Sequence, residues 1–362
     1  MLLTSHTAHR ASVLLITLIT ISCGGGIKEV NIQPQVKEVS PPVVFSDWLY
    51  NSMTDHVYIR ESASAQILVI DAQSLEVINT VSIDSAEITA WTLTPDNSAL
   101  FVAYKTDAQN GLTQFATSME MKQLATWEYE ADLEQIIALK NDFFVVTERV
   151  SGQLNTLMVT LQDETIRRAE FGGGVSNAYI LGGLTEELSF YTLSFDTSYD
   201  SVTRWDVLNS EPSPRSPQTL FETTDETGNA LYASEALNII FALSKEAGSS
   251  EGGKIGVFDA DTLVSVGALE LDWQPSQMAI SSDGLRAIAT HEDYVINGTR
   301  ADRHDVSIND IHIFNLEQQA FPQTASYLLS SESKPLRLMM TRDNHIWVLL
   351  ETDPTRIQVL IP

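Results

Sequence analysis

The residues best equipped for chemistry in this 362-residue chain crowd into one stretch between positions 291 and 310. It holds His291, Glu292, Asp293, Asp302, His304, Asp305 and Asp310, together with Arg300 and Arg303. Imidazole with carboxylate suits Zn²⁺ or another divalent ion, and carboxylates with carbonyl oxygens suit Ca²⁺. No recognised ligand spacing accompanies them: neither His-Glu-x-x-His nor an EF-hand pattern occurs. The same residues also read as a solvated polar loop whose arginines pair with its own carboxylates. The sequence therefore predicts no cofactor outright, and a divalent metal is what this loop would take. Other constellations are absent. No Ser-His-Asp order or Gly-x-Ser-x-Gly elbow is visible, and Phe171-Gly-Gly-Gly-Val175 lacks the Lys-Ser/Thr of a phosphate loop. A haem attachment motif is missing as well.

Composition narrows the partners. Against 48 Asp and Glu stand 21 Lys and Arg, a net charge of −27 and a pI near 4.4. Nucleic acid and anionic lipid headgroups both need clustered basic residues, so both are disfavoured. The 43% hydrophobic content suits a folded core rather than disorder or membrane burial. A single cysteine rules out an intramolecular disulfide and any multi-cysteine metal site.

That cysteine has a telling position. Residues 1–22 contain His6, His9 and Arg10 but no acid, and an apolar run from Ala11 to Ile21 precedes Ser22-Cys23-Gly24-Gly25-Gly26. A basic start, a short apolar core and a small residue at the cleavage point form an export signal. Ile19-Thr20-Ile21-Ser22-Cys23 resembles a bacterial lipoprotein signal, although Thr20 stands where that family prefers Leu, Val or Ile; an ordinary secretory signal is the competing reading. The resemblance implies a lipid-modified, N-acylated Cys23 (diacylglycerol and a palmitate-type chain), and Gly24 rather than Asp after it implies the outer membrane. The expected division is a signal peptide over 1–22, lipidated Cys23 with a tether and closing strand over 23–42, and a folded domain over 43–362. Cleavage would remove Arg10 and no acid, leaving a mature charge of −28 from 20 basic and 48 acidic residues.

The domain that must position any site is read from a repeat. From residue 43 onward the pattern is period-2 and β-branched, with no helix of a dozen residues. Ile67-Leu-Val-Ile-Asp-Ala-Gln-Ser-Leu75 matches Ile255-Gly-Val-Phe-Asp-Ala-Asp-Thr-Leu263, an offset of 188. Leu93-Thr-Pro-Asp-Asn97 matches Ile280-Ser-Ser-Asp-Gly284 at an offset of 187, and Met340-Thr-Arg-Asp-Asn344 repeats the same turn. One quarter of that offset is roughly 47 residues, near the length of a four-stranded propeller blade. Units begin near 43, 88, 134, 177, 229, 277 and 336, and the last shows only three strands. Ring closure then needs an outer strand from the N-terminal side, for which Lys28–Val36 is the candidate. The expectation is an all-β, seven-bladed propeller of four antiparallel strands per blade; six or eight blades, or a pair of β-sandwiches, are the alternatives. The two clear units resemble the YVTN-type, WD40-like repeats of bacterial surface and periplasmic propellers, which specifies fold and hardly constrains chemistry.

In such a fold the Asp-Asn/Gly turns share one face. Second-to-third-strand loops and blade-to-blade connections share the other, which normally carries binding. The 291–310 stretch lies there, about twenty residues long where Glu61–Gln66 and Lys105–Gly111 have six or seven. Glu87, Glu134, Asn177, Asn229 and Gln277 fall at inner strands, where they either line the channel or merely solvate it. The six tryptophans, His312 and His345 read as blade packing. These features predict a lipid-anchored envelope module, non-catalytic, binding a protein or glycan partner, with no nucleic acid and an open oligomeric state. The alternative is a lactonase-like or metal-dependent hydrolase working through His291, Glu292 and His304 at the channel mouth.

Overall fold

A computed structural model describes residues 35–39, 45–61, 65–83, 86–162, 165–170, 179–182, 189–195, 200–208, 211–214, 218–219, 226–246, 253–271, 273, 275–291, 294–296, 299–301, 310–318, 321–328, 335–350 and 356–361. The described residues contain strands and turns, with no helix. They build seven antiparallel blade sheets, and in six of them the four principal strands run in sequence order from inside to outside. The inner strands start at Phe45, Glu87, Asp132, Tyr179, Glu226, Pro275 and Pro335, each within three residues of the start expected from the repeat. Successive inner strands neighbour one another from blade 1 to blade 7. Arg337 of blade 7 then reaches Asp47 of blade 1 across the closure, at 3.2 Å.

The seventh blade has three strands from the C-terminal end, Pro335–Met340, Ile346–Leu350 and Arg356–Ile361, and takes Gln35–Val39 as its outer strand. Closure by an N-terminal strand is therefore as expected, and the described strand shares Gln35 and Val36 with the candidate Lys28–Val36 but continues to Val39. Pairing runs from Gln35 opposite Ile361 to Val39 opposite Ile357. The register follows burial: Val39 is the residue that enters the core, while Gln35, Val36, Lys37 and Glu38 are exposed. The rest of the proposed segment lies outside the described residues.

Seven hydrophobic clusters fill the seven spaces between adjacent blades. Blade 2 shows why its second strand, Ala99–Lys105, reads as a continuous apolar run rather than an alternation. Leu100 and Val102 pack toward blade 1 with Tyr58, Ile67 and Val69, whereas Phe101 packs toward blade 3 with Phe144 and Val146. Both faces of an inner blade strand are buried, so both sets of alternating residues must be apolar. Outer strands are mostly exposed and bury single residues, Val81 in Val77–Ser82 and Trp127 and Tyr129 in Gln123–Tyr129. All six tryptophans are buried in or beside these spaces, as expected from their setting. His312 stacks on Trp273 with centroids 4.5 Å apart, and its Nδ1 lies 3.2 Å from Gln323 Oε1.

The 188-residue offset is four blades. Asp71-Ala72 and Asp259-Ala260 occupy the same third-to-outer turn, and each alanine N–H donates to the first-turn carbonyl of its own blade, Asp55 or Asn238, at 2.9 Å. Leu75 and Leu263 end these turns at φ of 64° and 58°. A non-glycine residue there costs about 1–3 kcal/mol. Leu263 is buried between blades 4 and 5, and burying a leucine returns about 1.5–3 kcal/mol, which is why leucine rather than glycine holds the position.

Candidate functional surface

Antiparallel order assigns every connection to one of two faces. First-to-second and third-to-outer turns form a turn face; second-to-third loops and blade-to-blade connections form a loop face. The repeated aspartates all belong to the turn face, and their oxygens are consumed within it. Asp96 accepts from Thr94 Oγ1 at 2.7 Å, Ser98 N at 3.0 Å, Ser98 Oγ at 2.8 Å and Asn141 Nδ2 of blade 3 at 3.0 Å. Asp283 repeats the pattern with Ser281 Oγ at 2.5 Å and Leu285 N at 3.0 Å. Asp71 and Asp259 accept from the backbone N–H groups of Ser74 at 2.7 Å and Thr262 at 2.8 Å. These carboxylates are turn pins, not a catalytic set.

Their ionisation follows. Burial alone would raise the Asp96 carboxyl, but its hydrogen bonds outweigh burial and hold it far below the usual carboxylate range; Asp283 is lowered in the same way. For Asp71 the Ser74 amide is the main cause of the lowering. A depressed native carboxyl contributes stability above its ordinary pKa of about 3.9, and that stability is lost as pH falls toward the native value. Asp96→Asn should therefore lower stability at pH 7 by about 1–2 kcal/mol, discounted for solvent exposure, and make melting less sensitive to acid below about pH 4. Identical melting of the two proteins at pH 7 would contradict this role.

The turn face also staples blades together. Asn51 Nδ2 donates to Asn97 O of blade 2 at 2.9 Å, and Ser234 Oγ donates to Gly284 O of blade 6 at 2.6 Å. The receiving Asn97 and Gly284 have φ of 56° and 73°. This left-handed geometry, expected from the Asp-Asn and Asp-Gly pairs, is part of each turn whose carbonyl meets the neighbouring blade.

On the loop face, charged residues at the inner-strand starts pair across short distances. Lys105 Nζ lies 2.5 Å from Asp132 Oδ2, Arg149 pairs with Glu134, and Arg60 donates to the carbonyls of Ile88 and Thr89 at 3.3 and 3.2 Å. Asp47 sits between Arg337 and Trp91, whose Nε1 donates to it at 3.2 Å. Glu134 is thus an ion-pair member, Glu87 begins its strand, Gln277 is half-buried, and Asn177 lies outside the described residues. Asn229 is in the inner strand of blade 5.

Blade 6 departs from this pattern. Residues 292–309 separate its second and third strands, against 106–109 in blade 2 and 151–152 in blade 3. Within them Tyr294–Ile296 and Thr299–Ala301 form a two-stranded sheet of their own, Ile296 opposite Thr299. The sequence reading treated this stretch as loop and missed the hairpin. Its signal was present: Asn297-Gly298 between Tyr-Val-Ile and Thr-Arg-Ala is the dipeptide that two-residue hairpin connections favour. His291 is the last residue of the second strand and Asp310 the first of the third, flanking the Thr290–Ile311 pair. Glu292, Asp293, Asp302, His304 and Asp305 lie outside the described residues. Among the described residues, no group of three or more His, Cys, Asp or Glu is placed to hold a metal ion.

Two solved structures share this arrangement. The Myceliophteria thermophila Cps50 (Swd1) β-propeller domain superposes with a TM-score of 0.64 at 8% identity, covering 90% of this chain and 99% of that one. The C-terminal WD40 domain of Sif2 gives 0.57 at 11% identity, covering 88% and 81%. The fold is a WD40-like β-propeller. No family model matches the sequence, and no curated protein matches it. Identities this low carry the architecture and leave chemistry to the residues themselves.

Proposed function

We propose that this chain is a lipid-anchored bacterial envelope β-propeller that acts as a non-catalytic binding or scaffold module for a protein or glycan partner. The observation that carries the reading is the blade 6 insertion, a self-paired hairpin set between the second and third strands of one blade of a closed ring. A rigid scaffold bearing one long loop is the common arrangement of a recognition surface. The acidic balance disfavours nucleic acid and favours a basic or neutral partner. Cys23, following an apolar export segment, supplies the anchor, and more than one acyl chain is needed for stable membrane attachment.

The test separates anchor from recognition. Cys23→Ser should move the protein from the membrane to the soluble fraction. Replacing residues 292–309 by a four-residue turn like that of blade 2 should leave the melting temperature nearly unchanged. The same variant should lose whatever component the wild-type chain recovers from detergent-solubilised envelope. Recovery of nothing by the wild type, or equal recovery by both, would refute the binding reading.

A further inference from the structure

The place where the chain enters the propeller fixes which face it can turn toward a membrane. In blade 7 the first turn, Thr341–His345, joins Met340 to Ile346, so these residues mark the turn face. Ile346 pairs with Leu360, and Gln35 pairs with Ile361 at the same end of the sheet. Val39 pairs with Ile357, beside the Leu350–Arg356 end, which belongs to the loop face. The closing strand therefore runs from turn face to loop face, and Gln35, its first residue, lies at the turn-face end of the outer edge of blade 7.

We infer that, in the lipid-anchored protein, the turn face looks toward the bilayer and the loop face, with its blade 6 hairpin, is presented away from it. This rests on the anchor reading given above. Between Cys23 and Gln35 stand residues 24–34, and eleven residues reach at most roughly 40 Å when fully extended. A blade strand of six or seven residues is about 20 Å tall. To bring the loop face to the membrane, the linker would spend about half its reach rounding the blade edge. Approach from the turn face needs no such detour.

Charge sets the spacing without reversing the orientation. Asp55, Asp71, Asp96, Asp283 and Asp343 all lie on the turn face, and an anionic bilayer repels them. That repulsion decays over about 8 Å at physiological ionic strength, well inside the reach of the linker. The turn face is held off the membrane rather than seated on it. The partner recognised by the hairpin is accordingly one that arrives from the aqueous side.

Because Cys23 is the sole cysteine and lipidation consumes its thiol, one introduced cysteine gives one labelling site. Glu120 in the third-to-outer turn and Ala108 in the second-to-third loop of blade 2 are both exposed and lie on opposite faces of one blade. Full-length lipidated Glu120→Cys and Ala108→Cys proteins, each carrying a fluorescent donor, would be added to phosphatidylethanolamine–phosphatidylglycerol vesicles containing a headgroup-labelled acceptor lipid. Donor quenching should be severalfold stronger at position 120 than at position 108. Equal or reversed quenching in protein that floats with the vesicles overturns the orientation alone. If neither protein floats, and Cys23→Ser behaves identically, the anchor reading falls and the orientation falls with it.

Discussion

Removing Gln35–Val39 should cost the protein about 5 kcal/mol or more, a large share of the roughly 5–15 kcal/mol that stabilises an ordinary domain. These five residues pair along Arg356–Ile361, and without them that strand becomes an open edge. Val39 also leaves the space between blades 7 and 1, where it shares one hydrophobic cluster with Trp48, Val57, Ile59, Leu349 and Ile357. Burial of a valine accounts for about 2 kcal/mol, and the remainder comes from the lost ladder and the loosened closure. Val39→Asp, which keeps the strand but places a charge in that space, should cost about 3 kcal/mol by the same route. Denaturant midpoints followed by circular dichroism measure both. The deletion should also aggregate, because an unpaired edge is a template for other chains. An unchanged midpoint would show that closure contributes nothing.

The second large effect lies between blades 4 and 5. Arg204 is 1% exposed, and its guanidinium is held through Nε and Nη1. Nε donates to Asp206 Oδ1 at 2.8 Å, and Nη1 donates to Ala260 O at 3.1 Å and to Asp261 Oδ1 at 2.6 Å. Tyr191 donates to the same Ala260 carbonyl at 2.8 Å. Breaking one side of a buried charge cluster costs about 3–5 kcal/mol; because Asp261 is half-exposed and can rehydrate, Arg204→Ala should fall near 3 kcal/mol. Arg204→Lys should recover only part of it, since an ammonium cannot reproduce the planar fork. Stability equal to wild type in the alanine variant would mean that the cluster merely balances its own desolvation.

The two effects differ in how visible they are in the chain. Closure was legible because the last unit lacks a strand and a propeller cannot leave it open. The choice of five residues was not, since only the burial of Val39 selects the register. Blades 1, 2, 5 and 6 announce themselves through Asp-Ala-x-Ser/Thr-Leu and Asp-Asn/Gly turns. Blades 3 and 4 lack both markers, so their limits followed from the spacing of their neighbours. Arg204 is harder still. In Ser201-Val-Thr-Arg-Trp-Asp-Val-Leu208 it sits in ordinary alternation, where an arginine reads as solvent-facing. Its burial depends on the Asp259–Leu263 turn of blade 5 reaching across to it.

The candidate surface divides in the same way. Length and the gathering of histidines and carboxylates singled out 291–310 as a loop, while the hairpin within it emerged only from the structure. Asp71, Asp96, Asp259 and Asp283, whose repetition marks them as turn residues, are pinned in those turns by local hydrogen bonds. A one-dimensional chain does not record whether an aspartate's oxygens are already spent on nearby N–H and hydroxyl groups.

By itself, then, the sequence determined the period and the need for an N-terminal closing strand and favoured seven blades over six or eight, because these follow from local alternation and turn chemistry repeated at a fixed interval. Only the tertiary structure decided the register of closure, the burial of Arg204, and the face from which the N-terminal segment enters. Each of those depends on which distant strand lies alongside, and neighbours of that kind are chosen by packing across the ring rather than by residues adjacent in the chain.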